Sequence, residues 1–202
     1  MRVALGLKAR TGRAILVAVG GSQQMHVLRR AELKLLPAGD FAPYHAAEGL
    51  PSAAAQESVA RSIASANRLA EQGIRNAIEA LAGAGHEVCG CGVLVGGGMP
   101  PWSTDDILAV HVRMHHAEGE LFREVLVAGA CACGLIPTKL REKAAVEEAA
   151  SMLGLARTAL EAQLVALGKT VGAPWGKDQK EAAAAALAAL NAKAQGRPHG
   201  DQ

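Results

Sequence analysis

The chain has 202 residues, half of them hydrophobic and one fifth charged, with a net charge of +2. That length buries a full core without staples, and high hydrophobicity with little net charge excludes a disordered chain. A pI near 8.4 falls short of the strongly basic range of many nucleic-acid modules, so a basic patch is permitted without being demanded.

The first third reads as strands. Arg2 to Lys8 and Ala14 to Val19 are apolar runs separated by the turn signal Thr11-Gly12-Arg13, and Met25 to Leu36 follows Gly20-Gly21-Ser22. Two short turns imply an antiparallel meander. The Pro- and Gly-bearing stretch 37–51 reads as loop. A long helix is predicted over 52–83, with Ser52 as N-cap and Val59, Ile63, Ala66, Ala70, Ile74, Ala77, Ile78 and Leu81 on its apolar stripe. Glu87 to Val95 is a short buried strand, and Gly96-Gly97-Gly98 a flexible exit from it. Ser103-Thr104-Asp105-Asp106 starts a helix that runs, with or without a break, to Gly134. Leu135 to Leu140 is a last strand, which Pro137 restricts to an edge or end position. Helices then follow over 141–153, 156–167 and 177–193, the first two stopped by Gly154 and Gly168.

Forty-three alanines against five aromatic residues require a core of Ala, Val, Leu and Ile. The element order is β-β-β-α-β-α-β-α with extra C-terminal helix, an α/β chain with helices on the faces of a mixed sheet. One domain over 1–194 and a frayed tail over 195–202 are expected. No uncharged apolar stretch reaches the ~18 residues that a membrane helix needs, and the start shows no secretory signal. The chain therefore reads as cytoplasmic, with Cys89, Cys91, Cys131 and Cys133 reduced, buried and free of zinc.

Several side-chain patterns carry chemistry. His111 and His115, four apart on a helix, put two imidazoles on one face, and Glu118 is a nearby third metal ligand. The competing reading is a polar helix face with His–Glu hydrogen bonds. Gly168-Lys169-Thr170 mimics the end of a phosphate-binding loop, but Gln163 stands where that motif needs glycine, so nucleotide binding is rejected. Arg61, Arg68 and Arg75 form a basic line on the long helix, which reads either as phosphate contacts or as a solvated face.

The opening VALGLKARTGRAILVAV resembles the first hairpin of Holliday-junction resolvases and their ribonuclease H-like relatives, with Gly6-Leu7-Lys8 at the end of the first strand. His116 to Leu126 is similar to the helix before the last strand of that group, and Gly176-Lys177-Asp178-Gln179-Lys180-Glu181 resembles the start of its final helix. The resemblance implies a ribonuclease H-like fold and a centre in which four carboxylates hold two divalent metals, usually magnesium. Asp178 matches one acid and Glu181 is a second one turn later. Lys8 stands at the first-strand acid, and VLVGGG offers none at the end of the fourth strand. The resemblance therefore implies a resolvase-like domain that binds structured DNA or RNA with a degenerate nuclease centre. Lys8, Arg10, Arg13 and Lys177 are its phosphate-binding residues. Two alternatives stand beside it. One is a magnesium- or manganese-dependent nuclease using Asp178, Glu181 and Glu118. The other is a non-enzymatic protein forming a homodimer through its Ala-rich C-terminal helices.

Overall fold

In the computed structural model, which describes residues 1–195 apart from Gln23 and Phe41, the three opening runs pair as an antiparallel meander. They are β1 (Arg2–Arg10), β2 (Arg13–Gly20) and β3 (His26–Lys34). Gly12, at φ 70°, makes the turn between the first two, a conformation that costs glycine little. β4 (Glu87–Val95) pairs parallel to β1, and β5 (Pro137–Arg141) parallel to β4. The sheet order is β3-β2-β1-β4-β5, so Pro137 opens an edge strand, where a missing N–H is tolerated.

Helices cover both faces. α2 (Ser52–Gly83) and α4 (His111–Ala132) pack on the side that carries Val3, Leu5, Leu7, Leu16 and Val93. The short α1 (Pro43–Ala47) and α3 (Thr104–Leu108) lie against them. α7 (Lys177–Gln195) packs on the other side, over Ile15, Val17 and Leu94, with α5 (Ala145–Leu153) and α6 (Arg157–Val171) against it. Burial on both faces explains why β1 and β2 read as unbroken apolar runs. Among the described residues no helix is long and apolar enough to cross a membrane.

α7 approaches the sheet closely. Gly6 of β1 and Gly92 of β4 are register partners. A Cβ on Gly6 would stand 1.7 Å from the carbonyl oxygen of Ala182, and one on Gly92 2.1 Å from that of Ala185. Paired glycines thus let the helix backbone rest on the strands. Ala182 to Ala186 are wholly buried, as expected of a helix apolar on all sides.

Several local expectations change. The 37–51 stretch contains α1, begun by Pro43 in its first turn, where the ring's fixed φ suits a helix start. Ser52 does not cap α2: Pro51 holds the cap position, and the Ser52 hydroxyl donates to Asp105 at 2.9 Å. Ser103 does cap α3, in a reciprocal capping box with Asp106. α6 does not stop at Gly168 but runs on to Val171, and Gly172 at φ 69° ends it. Gly168 is small for packing, because a Cβ there would lie 2.1 Å from the Trp175 ring. Cys91 is buried, but Cys89 and Cys133 are half-buried and Cys131 is exposed, so the expectation of four buried thiols fails. Residues two apart on a helix cannot share a face. All four are free thiols. The Ala-rich run of α7 is an interior surface, which removes it as a dimer contact. The tail beyond Gln195 lies outside the described residues.

Candidate functional site

The C-terminal ends of the parallel strands β1, β4 and β5 open on one side of the sheet, where ligands of α/β folds commonly bind. Lys8 lies near the end of β1. Alternation along the strand turns Leu7 to α2 and α4 and Lys8 to α7. The lysine side chain is only 2% exposed. Its ammonium pairs with Glu181 and, at 3.2 Å, with Asp178, both in the first turns of α7, and at 3.4 Å with Glu142 just past β5. Arg10 holds Asp178 in a two-pronged contact, Nε at 2.8 Å and Nη2 at 2.5 Å. Arg123, from α4, donates to Glu142 at 2.5 and 3.0 Å and to Glu120 at 3.1 Å.

Glu120 reaches the end of β4 because Gly96 lacks a side chain: a Cβ there would lie 1.8 Å from its Oε1. The Gly96 expected as a flexible exit therefore makes room for a carboxylate. The cleft beside this cluster has a volume of about 690 Å³, and Gly97, Gly98, His115, Arg123, Lys143 and Lys177 help to line it.

The partners of Asp178, Glu142 and Lys8 favour the charged form of each. The Arg10 hydrogen bond, opposed by burial and assisted by Lys8, holds the Asp178 carboxyl down at about 2. Burial works against ionisation of Glu142, but the Arg123 hydrogen bond and charge outweigh it and the group stays below the ordinary carboxylate value. Burial likewise disfavours the Lys8 ammonium, yet its contacts with Glu181 and Asp178 raise it above the ordinary lysine value.

Of the residues singled out in the sequence, Lys8, Arg10, Asp178 and Glu181 come together, with Lys177 at 3.7 Å from Glu181. Arg13 does not join them and instead pairs with Glu32 across β2 and β3 at 3.0 Å. His111 and His115 meet, their Nε2 atoms 3.1 Å apart. Glu118 is buried on α4 and takes a hydrogen bond from His45 Nδ1 at 2.8 Å. In the basic line, Arg61 pairs with Glu57 and Arg75 with Glu71 along α2.

Sequence reasoning missed Arg123, Glu142 and His45 as site residues. The glycine run after β4 was a usable signal for Glu120. Glu142 and Arg123 meet only through packing of α4 beside β5. His45 lay in a segment read as loop.

No family model and no curated sequence matches the chain. Among solved structures, one of Thermus thermophilus RuvC is similar with a TM-score of 0.49 and 12% identity, over 96% of each chain. T. thermophilus RuvC in complex with Holliday junction substrate gives a TM-score of 0.52 and 13% identity, over 97% of each chain. Such identities speak to architecture alone. With its antiparallel meander, its parallel β4 and β5, and helices on both faces, the chain has the ribonuclease H-like fold, in the architecture of that RuvC structure.

Proposed function

We propose that the chain binds branched or otherwise structured nucleic acid in the cleft beside Lys8 and does not cut it. The observation that carries this is the Lys8 ammonium among Glu142, Asp178 and Glu181. Two-metal phosphodiester cleavage needs carboxylates converging on the ions. Here these carboxylates are already engaged by Lys8, Arg10 and Arg123, and a cation at 4 Å from an incoming ion opposes it by roughly 4 kcal/mol per unit charge at an effective dielectric near 20. The residues do not fit a magnesium pair. They do fit a phosphate-facing surface, since Lys177 and Lys143 are exposed on the rim and Gly97 and Gly98 permit close backbone approach. The likeness in fold to a resolvase solved with a Holliday junction supports a branched ligand. Four free cysteines accord with a cytoplasmic setting.

A second reading, a metal-dependent nuclease with relocated acids, is favoured by Glu120 and Glu142 bordering the cleft beside Asp178 and Glu181. Glu118 is the third acid of that reading, with its Oε1 held by His45.

The test combines binding and cleavage. Fluorescence anisotropy with a four-way DNA junction is expected to show affinity that falls steeply with salt and weakens in Lys177→Ala. Magnesium or manganese is expected to give no product. Lys8→Asp is expected to bind manganese more tightly in calorimetry, because it removes a repulsion and adds a ligand. Cleavage by the natural chain would move the assignment to the second reading. Salt-insensitive or absent junction binding would end the first.

A further inference from the structure

We propose that His45, His111 and His115 form a site for a zinc-type divalent cation, separate from the acid cluster at Lys8. His111 and His115 stand one turn apart at the start of α4, and α1 brings His45 against them. One nitrogen from each ring lies within 4.8 Å of the other two. Tetrahedral zinc with Zn–N distances of about 2.0–2.1 Å separates its ligand atoms by roughly 3.3 Å. The His111 and His115 Nε2 atoms, at 3.1 Å, are already at that spacing, and the His45 ring centroid lies 5.1 and 4.7 Å from theirs. Small ring rotations would complete the set.

The surroundings of His45 support a ligand role. Glu118, only 4% exposed, accepts from the His45 ring Nδ1 at 2.8 Å and from its backbone N–H at 3.2 Å. An Nδ1–H directed at a carboxylate selects the tautomer whose lone pair is on Nε2. A carboxylate behind a histidine also orients metal-bound imidazoles and raises their basicity. His116 is not part of the set, because its Nε2 contacts the Gly98 carbonyl at 3.0 Å.

Three imidazoles select the cation class. They suit zinc and its transition-metal neighbours, whereas magnesium and calcium want oxygen ligands. His111 and His115 are exposed, so a three-ligand site would keep an open fourth position, as non-structural zinc sites do. His115 also lines the cleft, which puts that position at its edge. A bound ion would fasten α1 to α4.

The test uses the full chain, stripped with a chelator and titrated with zinc chloride by calorimetry. One equivalent is expected, with magnesium giving no heat. His111→Ala and His115→Ala change exposed side chains and are each expected to weaken binding at least tenfold. Glu118→Gln is expected to weaken it by about 10–100-fold, and Cys131→Ser not at all. Cobalt(II) is expected to give the intense visible bands of a four-coordinate ion, lost in both histidine variants. Absence of saturable binding, binding that survives both histidine variants, or binding lost only in Cys131→Ser would overturn the proposal.

Discussion

A buried lysine facing carboxylates is held in place by what its removal would leave behind. Taking an ammonium out of water is costly, and Lys8 tolerates it only because Glu142, Asp178 and Glu181 converge on it. Lys8→Ala leaves Glu181 with only Lys177 at 3.7 Å, while Arg10 still holds Asp178 and Arg123 still holds Glu142, and is expected to cost about 3 kcal/mol in urea unfolding, the lower end for a broken buried pair. Manganese is expected to restore part of that stability in the variant and to leave the natural chain unchanged. Asp178 contributes to the acid limb, beside Glu142, which is also depressed. The Asp178 carboxyl is depressed from 3.8 to about 2 in the fold, so its contribution is complete above pH 4 and is lost as pH falls toward 2. The shift corresponds to about 2 kcal/mol. Asp178→Asn is expected to lose that amount at neutral pH and to show a flatter stability profile between pH 4 and 2. Lys8 and Asp178 were marked in the sequence by the resemblance of Gly6-Leu7-Lys8 and of the Gly176 to Glu181 segment to the resolvase group. Glu142 and Arg123 were not, since no local pattern marks two side chains that meet across α4 and β5.

At the scale of elements, the contact between α7 and the sheet depends on absent side chains. The Cβ that Gly6 lacks would meet a backbone oxygen of Ala182, which cannot swing aside. Gly6→Ala is therefore expected to destabilise the protein by about 3 kcal/mol, at the upper end of overpacking costs. Gly97 is exposed with open space around it, and Gly97→Ala is expected to stay within ~0.5 kcal/mol. Thermal melts of the two variants side by side check the contrast. The strands, α2 and the capping box of α3 were legible because periodicity and caps are local. The misreadings at Gly168 and at α1 have separate causes. A glycine needed for a neighbour's ring looks the same in sequence as one that ends a helix, and a five-residue helix is too short to show a period.

At the scale of the molecule, α7 contacts β1, β2, β4 and β5 on one side and α5 and α6 on the other. A shared central helix couples both layers, so a single cooperative unfolding transition is expected. Native-state hydrogen exchange is expected to find the amides of 182–189 opening only with those of β1, through global unfolding; earlier opening of α7 would contradict this.

The smoothness of that helix has a further effect. Between 182 and 189 only Leu187 is larger than a methyl group, so packing offers little to fix the helix along its own axis. A slide of one turn, about 5.4 Å, would again set methyl groups over the paired glycines. It would, however, pull Asp178 from Arg10 and Glu181 from Lys8. The charged first turn thus acts as an axial stop for an otherwise featureless rod. Neutralising it, as in Asp178→Asn combined with Glu181→Gln, should give a chain with normal helix content whose α7 samples several registers, seen as broadened α7 amide resonances beside sharp β2 and β3 signals.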